Sequence, residues 1–129
     1  MTALPELARE LIDGQNFASV ATIQADGSPQ SSIVWVRRDG DDVLFSTVKG
    51  RRKHANLLAD RRVSLLVTDV ANPYRYAEIR GGATVTDDPQ AELIQELADK
   101  YTGQAFAIRP GDERVIVRIA PDHVVVYDD

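Results

Sequence analysis

The chain of 129 residues contains no cysteine. Disulfides, thiol nucleophiles and thiolate metal sites are thereby excluded, and a reducing compartment, the cytoplasm, is the expected location. Aromatic residues make up 6% of the chain and its formal net charge is −5. It therefore has few stacking platforms for single strands and no broadly basic face, and no nucleic-acid partner is expected. No apolar run approaches membrane-spanning length. The opening Met-Thr-Ala-Leu-Pro-Glu-Leu is not a basic segment leading into a long apolar one. Neither a membrane helix nor a signal peptide is expected. The two histidines, His54 and His123, stand outside any metal-ligand spacing, so each is expected to be structural or solvated and no metal site is expected. Nucleotide-binding glycine loops and the nucleophile elbow are missing too. The paired acids Asp41-Asp42, Asp87-Asp88 and Asp128-Asp129 fall at turns or at the end of the chain, where solubility explains them better than acid–base work.

What is present is enough for a core: hydrophobic residues make up 43% of the chain, and its length fits one domain over residues 1–129. Apolar spacing predicts a helix over 4–13, stopped by Asp13-Gly14 with Gly in a left-handed turn. Strands are predicted over 17–24 and 31–38, joined as a hairpin by Ala25-Asp26-Gly27-Ser28-Pro29. A further strand follows over 43–48, then a short helix over 51–60 with Ala55, Leu58 and Ala59 inward. The run 63–69 reads as a strand buried on both faces. Residues 75–86 alternate as a long strand in which Gly81-Gly82 predicts a bulge. Asp88-Pro89 predicts a helix start, with Asp as N-cap and Pro at the first helical position, and that helix ends near Gly103. Two last strands are expected over 115–119 and 123–127, separated by Ala120-Pro121-Asp122. Six or seven strands with three helices, mostly joined as hairpins, point to a small antiparallel barrel with external helices. Closure would remove its exposed edges.

The segment Ser46-Thr47-Val48-Lys49-Gly50-Arg51-Arg52-Lys53-His54-Ala55-Asn56 stands apart. From Lys49 to Arg62 six Lys/Arg face one acid, Asp60. A concentrated positive site on an acidic chain fits a small anion, and helix N-terminal N–H groups add to its pull on a phosphate; a solvated charged helix face is the alternative. Arg51 offers a planar fork, Lys53 a point charge, and Asn56 both donor and acceptor. Ser46 and Thr47 add hydroxyls. With no acid–base or nucleophile constellation, an enzymatic reaction would be carried by a bound cofactor, and no catalytic residue can be named.

The order of hairpin (Val20-Ala21-Thr22-Ile23 to Gln30), strand (Val43-Leu44-Phe45-Ser46-Thr47), cationic helix and strand (Arg62-Val63-Ser64-Leu65) resembles the pyridoxamine-phosphate-oxidase-like family of flavin-binding split β-barrels. Together with Asn72-Pro73-Tyr74-Arg75-Tyr76-Ala77-Glu78-Ile79-Arg80-Gly81, it is similar to the actinobacterial branch that uses the deazaflavin coenzyme F420. The resemblance covers nearly the whole chain. It implies a mainly β, six- to seven-stranded antiparallel split barrel with about three peripheral helices, and a homodimer with two cofactor sites at the subunit interface. The family's phosphate positions map onto Arg51, Lys53 and Asn56. Positions flanking the ring and ribityl chain map onto Ser46 and Thr47, and those facing the ring onto Gln30 and Ser32. Tyr74 matches an aromatic position brought in by the second subunit, and Thr22 is a further candidate. Trp35 either walls the ring or anchors the core. Lys49 and Arg52 extend the cluster toward the longer anionic tail of F420, and Arg75 is a candidate to reach across from the second subunit. The chain stops at Val124-Val125-Val126-Tyr127-Asp128-Asp129, without the Arg-containing segment that ends true pyridoxamine-phosphate oxidases, so vitamin B6 oxidation is not expected. The implied activity is hydride transfer between F420 and a small conjugated substrate. FMN chemistry and a carrier without turnover are the alternatives, with a small oligonucleotide-binding barrel as a remote third.

Overall fold

The computed structural model describes residues 2–128. Among them, seven antiparallel strands form one sheet in the order β2-β1-β5-β6-β7-β4-β3. These are β1 (Ala18–Ile23), β2 (Pro29–Val34), β3 (Arg37–Asp39), β4 (Asp42–Val48), β5 (Arg62–Thr68), β6 (Arg75–Asp87) and β7 (Arg114–Asp128), with helices α1 (Glu6–Asp13), α2 (Arg52–Ala59) and α3 (Glu92–Thr102). The architecture is the mainly β split barrel with three helices. Its ladder does not close: β2 and β3 remain as edges.

Two apolar layers organise the molecule. The barrel interior is filled by Val20, Phe45, Leu65, Val67, Ile79 and Ile119 with Leu11 and Ile12 of α1 and Leu57 of α2. A smaller layer outside β4 joins Leu44 to Leu93 and Leu97 of α3, with Trp35, Tyr101 and Ile116 against it. β4 is covered on both faces because alternate residues feed the two layers.

Several sequence expectations change. Residues 31–38 do not form one strand: the chain leaves the ladder at Trp35-Val36, between β2 and β3. The two expected last strands are one, β7, because Pro121 pairs opposite Gly81 at the bulge between Arg80 and Gly81. The glycine is required there by close approach, since a Cβ on Gly81 would lie 2.0 Å from the Ala120 carbonyl oxygen. β5 is not buried on both faces; its pattern alternates, and Leu66 is exposed. Gly14 ends α1 in extended, not left-handed, backbone. α2 turns His54, Asn56 and Leu57 inward rather than Ala55, Leu58 and Ala59, and Leu58 is 66% exposed. Leu57 alone supplies its apolar anchor, while two polar side chains are buried because they find partners. Helix α3 begins at Glu92 with Ala91 at its N-cap in left-handed backbone, so Asp88 is not the N-cap and Pro89 lies in the preceding turn, not at the first helical position. The Asp88 carboxylate still accepts the N–H groups of Glu92 (3.1 Å) and Leu93 (3.0 Å).

Candidate functional site

The C-terminal end of β4 delivers Ser46 and Thr47 to the place where the two layers meet. After Val48 the chain turns through Gly50, whose φ of 93° is left-handed. The Gly50 N–H is accepted by His54 Nδ1 at 3.1 Å, which fixes the entry into α2 and makes His54 a structural residue. Unlike α1 and α3, α2 has no acid in its first turn. It carries Arg51, Arg52 and Lys53 instead, at the end of a helix where positive charge is disfavoured. An anion bound there would offset that cost.

A cavity of about 270 Å³ opens beside this turn, lined by Ser46, Thr47, Arg51 and Lys53 together with Arg114. Phe17, Ile33, Trp35, Ile94, Leu97 and Phe106 supply its apolar side. Trp35 both lines the cavity and packs: it stacks on Tyr101 at 5.4 Å between centroids and meets Phe106 edge-on. Its packing against the outer apolar layer is thus shown, and it also borders the cavity.

Arg114 is a member of this lining that nothing in its sequence context marks. It opens β7, directly across the ladder from Val48, and is only 8% exposed. Its guanidinium lies 4.9 Å from the Phe106 ring centre and reaches the Ser46 hydroxyl at 3.4 Å. It forms no ion pair among the described residues, and Asp112 and Asp88 act on it only through longer-range attraction. Burial and the nearby Arg51 charge push its pKa down. Lys53 is pushed down in the same way, first by burial and then by Arg51 and Arg114. Three cations therefore repel one another around one cavity. Both the Arg114 Nε and the Thr47 hydroxyl are buried there with no hydrogen-bond partner among the described residues. Orphaned polar groups of this kind are rare in folded proteins. This donor-rich set matches a multivalent oxyanion such as a phosphate ester.

The other sequence candidates are distributed as follows. Lys53 donates to the Ser32 hydroxyl at 3.2 Å, joining Ser32 to the cavity's rim. Asn56 points to the hairpin instead, donating to Thr22 Oγ1 at 3.0 Å; Thr22 in turn donates to Gln30 Oε1 at 3.4 Å. Lys49 lies in a separate cleft and pairs with Asp87 at 3.1 Å. Arg75 is held by Glu10, Asp69 and Asp128. Arg52 is exposed. Tyr74 is 68% exposed, in the turn between β5 and β6.

Residues 4–127 match the family described as pyridoxamine 5'-phosphate oxidase. The chain belongs to that family. Among solved structures, it is similar to an F420 reductase, with 31% identity, a TM-score of 0.85, and coverage of 95% of this chain and 98% of the other. A conserved hypothetical protein from Mycobacterium tuberculosis follows at 24% identity and TM-score 0.77, over 93% of this chain and 81% of that one. General Stress Protein 26 from Bacillus anthracis shares the fold at 20% identity and TM-score 0.74, over 95% and 92%. No curated protein matches the chain.

Proposed function

We propose that this family member is an F420-dependent reductase acting on a small conjugated organic substrate. The carrying observation is the trio Arg51, Lys53 and Arg114, which has no counter-charge at the cavity and converges beside Ser46, Thr47 and an aromatic wall. The likeness to an F420 reductase along nearly the full length of both chains supports the choice of coenzyme.

In this reading Arg51 and Arg114 grip the phosphodiester, Lys53 adds a point charge, and Ser46 and Thr47 donate or accept at its oxygens. Trp35 and Phe17 exclude water from the apolar side. When bound, the coenzyme supplies hydride at ring C5, and a proton from water completes the two-electron reduction of the acceptor. The cavity is lined by no carboxylate, imidazole or phenol, so the protein's contribution is orientation and electrostatics.

The single-chain cavity lies at the small end of ligand sites, and a second subunit is proposed to complete it. Ile33, Leu66 and Val125 share one outer face through the register of β2, β1, β5, β6 and β7 and are all exposed. Residues 1–129 would then act as one cofactor-binding domain within a cytoplasmic homodimer. Tyr74 would approach the site from the second subunit, and Gln30 and Ser32 would face the ring.

One observation favours a second reading, FMN. Lys49 and Arg75 are both engaged by acids, so the anion locus within one chain is compact and suits a single phosphate. Titration of the protein with oxidised F420 and with FMN, followed by fluorescence polarisation, separates the two. Micromolar or tighter F420 binding with weak FMN binding supports the proposal. The reverse preference moves the protein to flavin chemistry. Tight F420 binding with no oxidation of reduced coenzyme by a panel of acceptors would make it a carrier.

A further inference from the structure

Lys100 is a half-buried cation with no carboxylate partner among the described residues. From the last turn of α3, its ammonium donates to the Ile12 carbonyl at 2.5 Å and to the Val36 carbonyl at 2.7 Å. It also sits 4.8 Å from the centre of the Tyr101 ring. The Tyr101 hydroxyl donates to the Asn16 carbonyl at 2.7 Å and accepts the Val36 N–H at 3.2 Å. Two adjacent side chains of α3 thus clamp the end of α1 and the Trp35-Val36 break between β2 and β3. That break is the point where the backbone leaves the ladder and has no strand partner of its own. Trp35, stacked on Tyr101 with its plane tilted by only 10°, forms part of the cavity wall.

We propose that Lys100 is a positioning residue: its ammonium fastens the end of α3 to Ile12 and Val36, and so holds Trp35 against Tyr101 as a wall of the cationic cavity. Charge-assisted bonds are roughly twice as strong as neutral ones, so the clamp is strongest while the amine keeps its proton. Burial pushes the Lys100 pKa down to about 8, which places loss of that proton within a mildly alkaline range. The charged groups around it are few. Asp13 on α1 opposes the shift and is itself paired with Arg38 of β3 at 2.8 Å. Arg37 of β3 is paired with Glu96 of α3 at 2.7 Å. The Tyr101 phenol is pushed up by burial, away from this range.

Trp35 is the one tryptophan of the chain, so its fluorescence reports the wall without any cofactor. The test therefore stands or fails separately from the proposed function; only its consequence for coenzyme binding rests on that reading. Iodide quenching of Trp35 would be followed from pH 6 to 10 alongside an NMR titration of the lysine Nζ groups in wild-type protein. Lys49, Lys53 and Lys100 are the lysines to be resolved. The expected result is an at least twofold rise in the quenching constant, with a midpoint near 8 that coincides with Lys100 Nζ. In Lys100→Met the quenching should already be high at pH 6 and show no transition. A flat wild-type profile, a midpoint that follows Lys53 Nζ, or an unchanged transition in Lys100→Met overturns the proposal. If Lys100→Met does not fold, the coincidence or mismatch of the two wild-type midpoints decides.

Discussion

Asn56 and Thr22 are joined across the barrel wall: the amide of α2 donates to the β1 hydroxyl at 3.0 Å, and both residues are buried. This bond pins α2 onto the hairpin and so sets where its N-terminus, with Arg51 and Lys53, is aimed. In the single chain Asn56 serves the scaffold.

Replacing Asn56 with Ala should accordingly cost stability before it costs affinity. The change leaves the buried Thr22 hydroxyl with one distant partner, a loss of about 1–3 kcal/mol. Urea denaturation should show the lower midpoint. Coenzyme affinity measured well below that midpoint should fall less than about threefold. A large affinity loss at unchanged stability would return Asn56 to the ligand set.

Arg114 and Lys49 should behave oppositely. Arg114→Met removes a buried, unpaired cation from the cavity, whereas Lys49→Met removes one already engaged by Asp87 in another cleft. Removing one charge-assisted contact costs about 1.5–3 kcal/mol, so Arg114→Met should weaken binding of the preferred phosphate-bearing coenzyme about tenfold or more. Lys49→Met should change it less than about twofold. Equilibrium titration of both variants checks the contrast, and equal losses would refute the site geometry.

The pH dependence follows from Lys53, whose pKa is lowered by burial and by its cationic neighbours. Between that lowered value and the ordinary lysine value, the folded protein holds fewer protons than the unfolded chain, so this group makes stability rise with pH. Binding of an anion has the opposite preference and favours the charged amine. Affinity should be flat near neutrality and decline through the alkaline range earlier than an ordinary lysine would dictate. Calorimetric titrations in buffers of different ionisation enthalpy should detect proton uptake on binding. Lys53→Arg should abolish the proton uptake that Lys53 contributes and leave only the part of the alkaline decline that belongs to Lys100.

Gly81→Ala places a methyl group 2.0 Å from the Ala120 carbonyl oxygen. The obstacle is backbone, not a flexible side chain, so the ribbon must shift. A destabilisation of about 2–3 kcal/mol is expected, read as a lower urea midpoint. Gly40→Ala, in open space but at a left-handed φ, should cost only about 1 kcal/mol.

Local chemistry was legible at some of the points where it decided the structure. Gly81-Gly82 marked the bulge, Asp88 marked a carboxylate that accepts N–H groups of the first turn of α3 although Ala91 is the N-cap, and of the cations after Thr47 two, Arg51 and Lys53, marked the cavity's rim. What escaped notice depended on distant parts of the chain. Arg114 reads as an ordinary charge at a strand start; it becomes a buried member of the site only through pairing of β7 with β4. Hydrophobicity favours Leu58 for the inner face of α2, whereas His54 and Asn56 are buried there through hydrogen bonds that hydropathy does not register. Trp35-Val36 look like strand continuation, and it is α3, far along the sequence, that captures them.

The pairing of β4 with β7 also orders events in time. Val48 meets Arg114 across a long stretch of chain, and contacts of such separation are late and slow to form. During synthesis the hairpin of β1 and β2 and the cationic turn can be complete while the cavity still lacks its deepest charge. On the proposed reading, competence to capture an anion arrives with the last strand, so a nascent or partly unfolded chain would not hold the ligand in place of the finished protein.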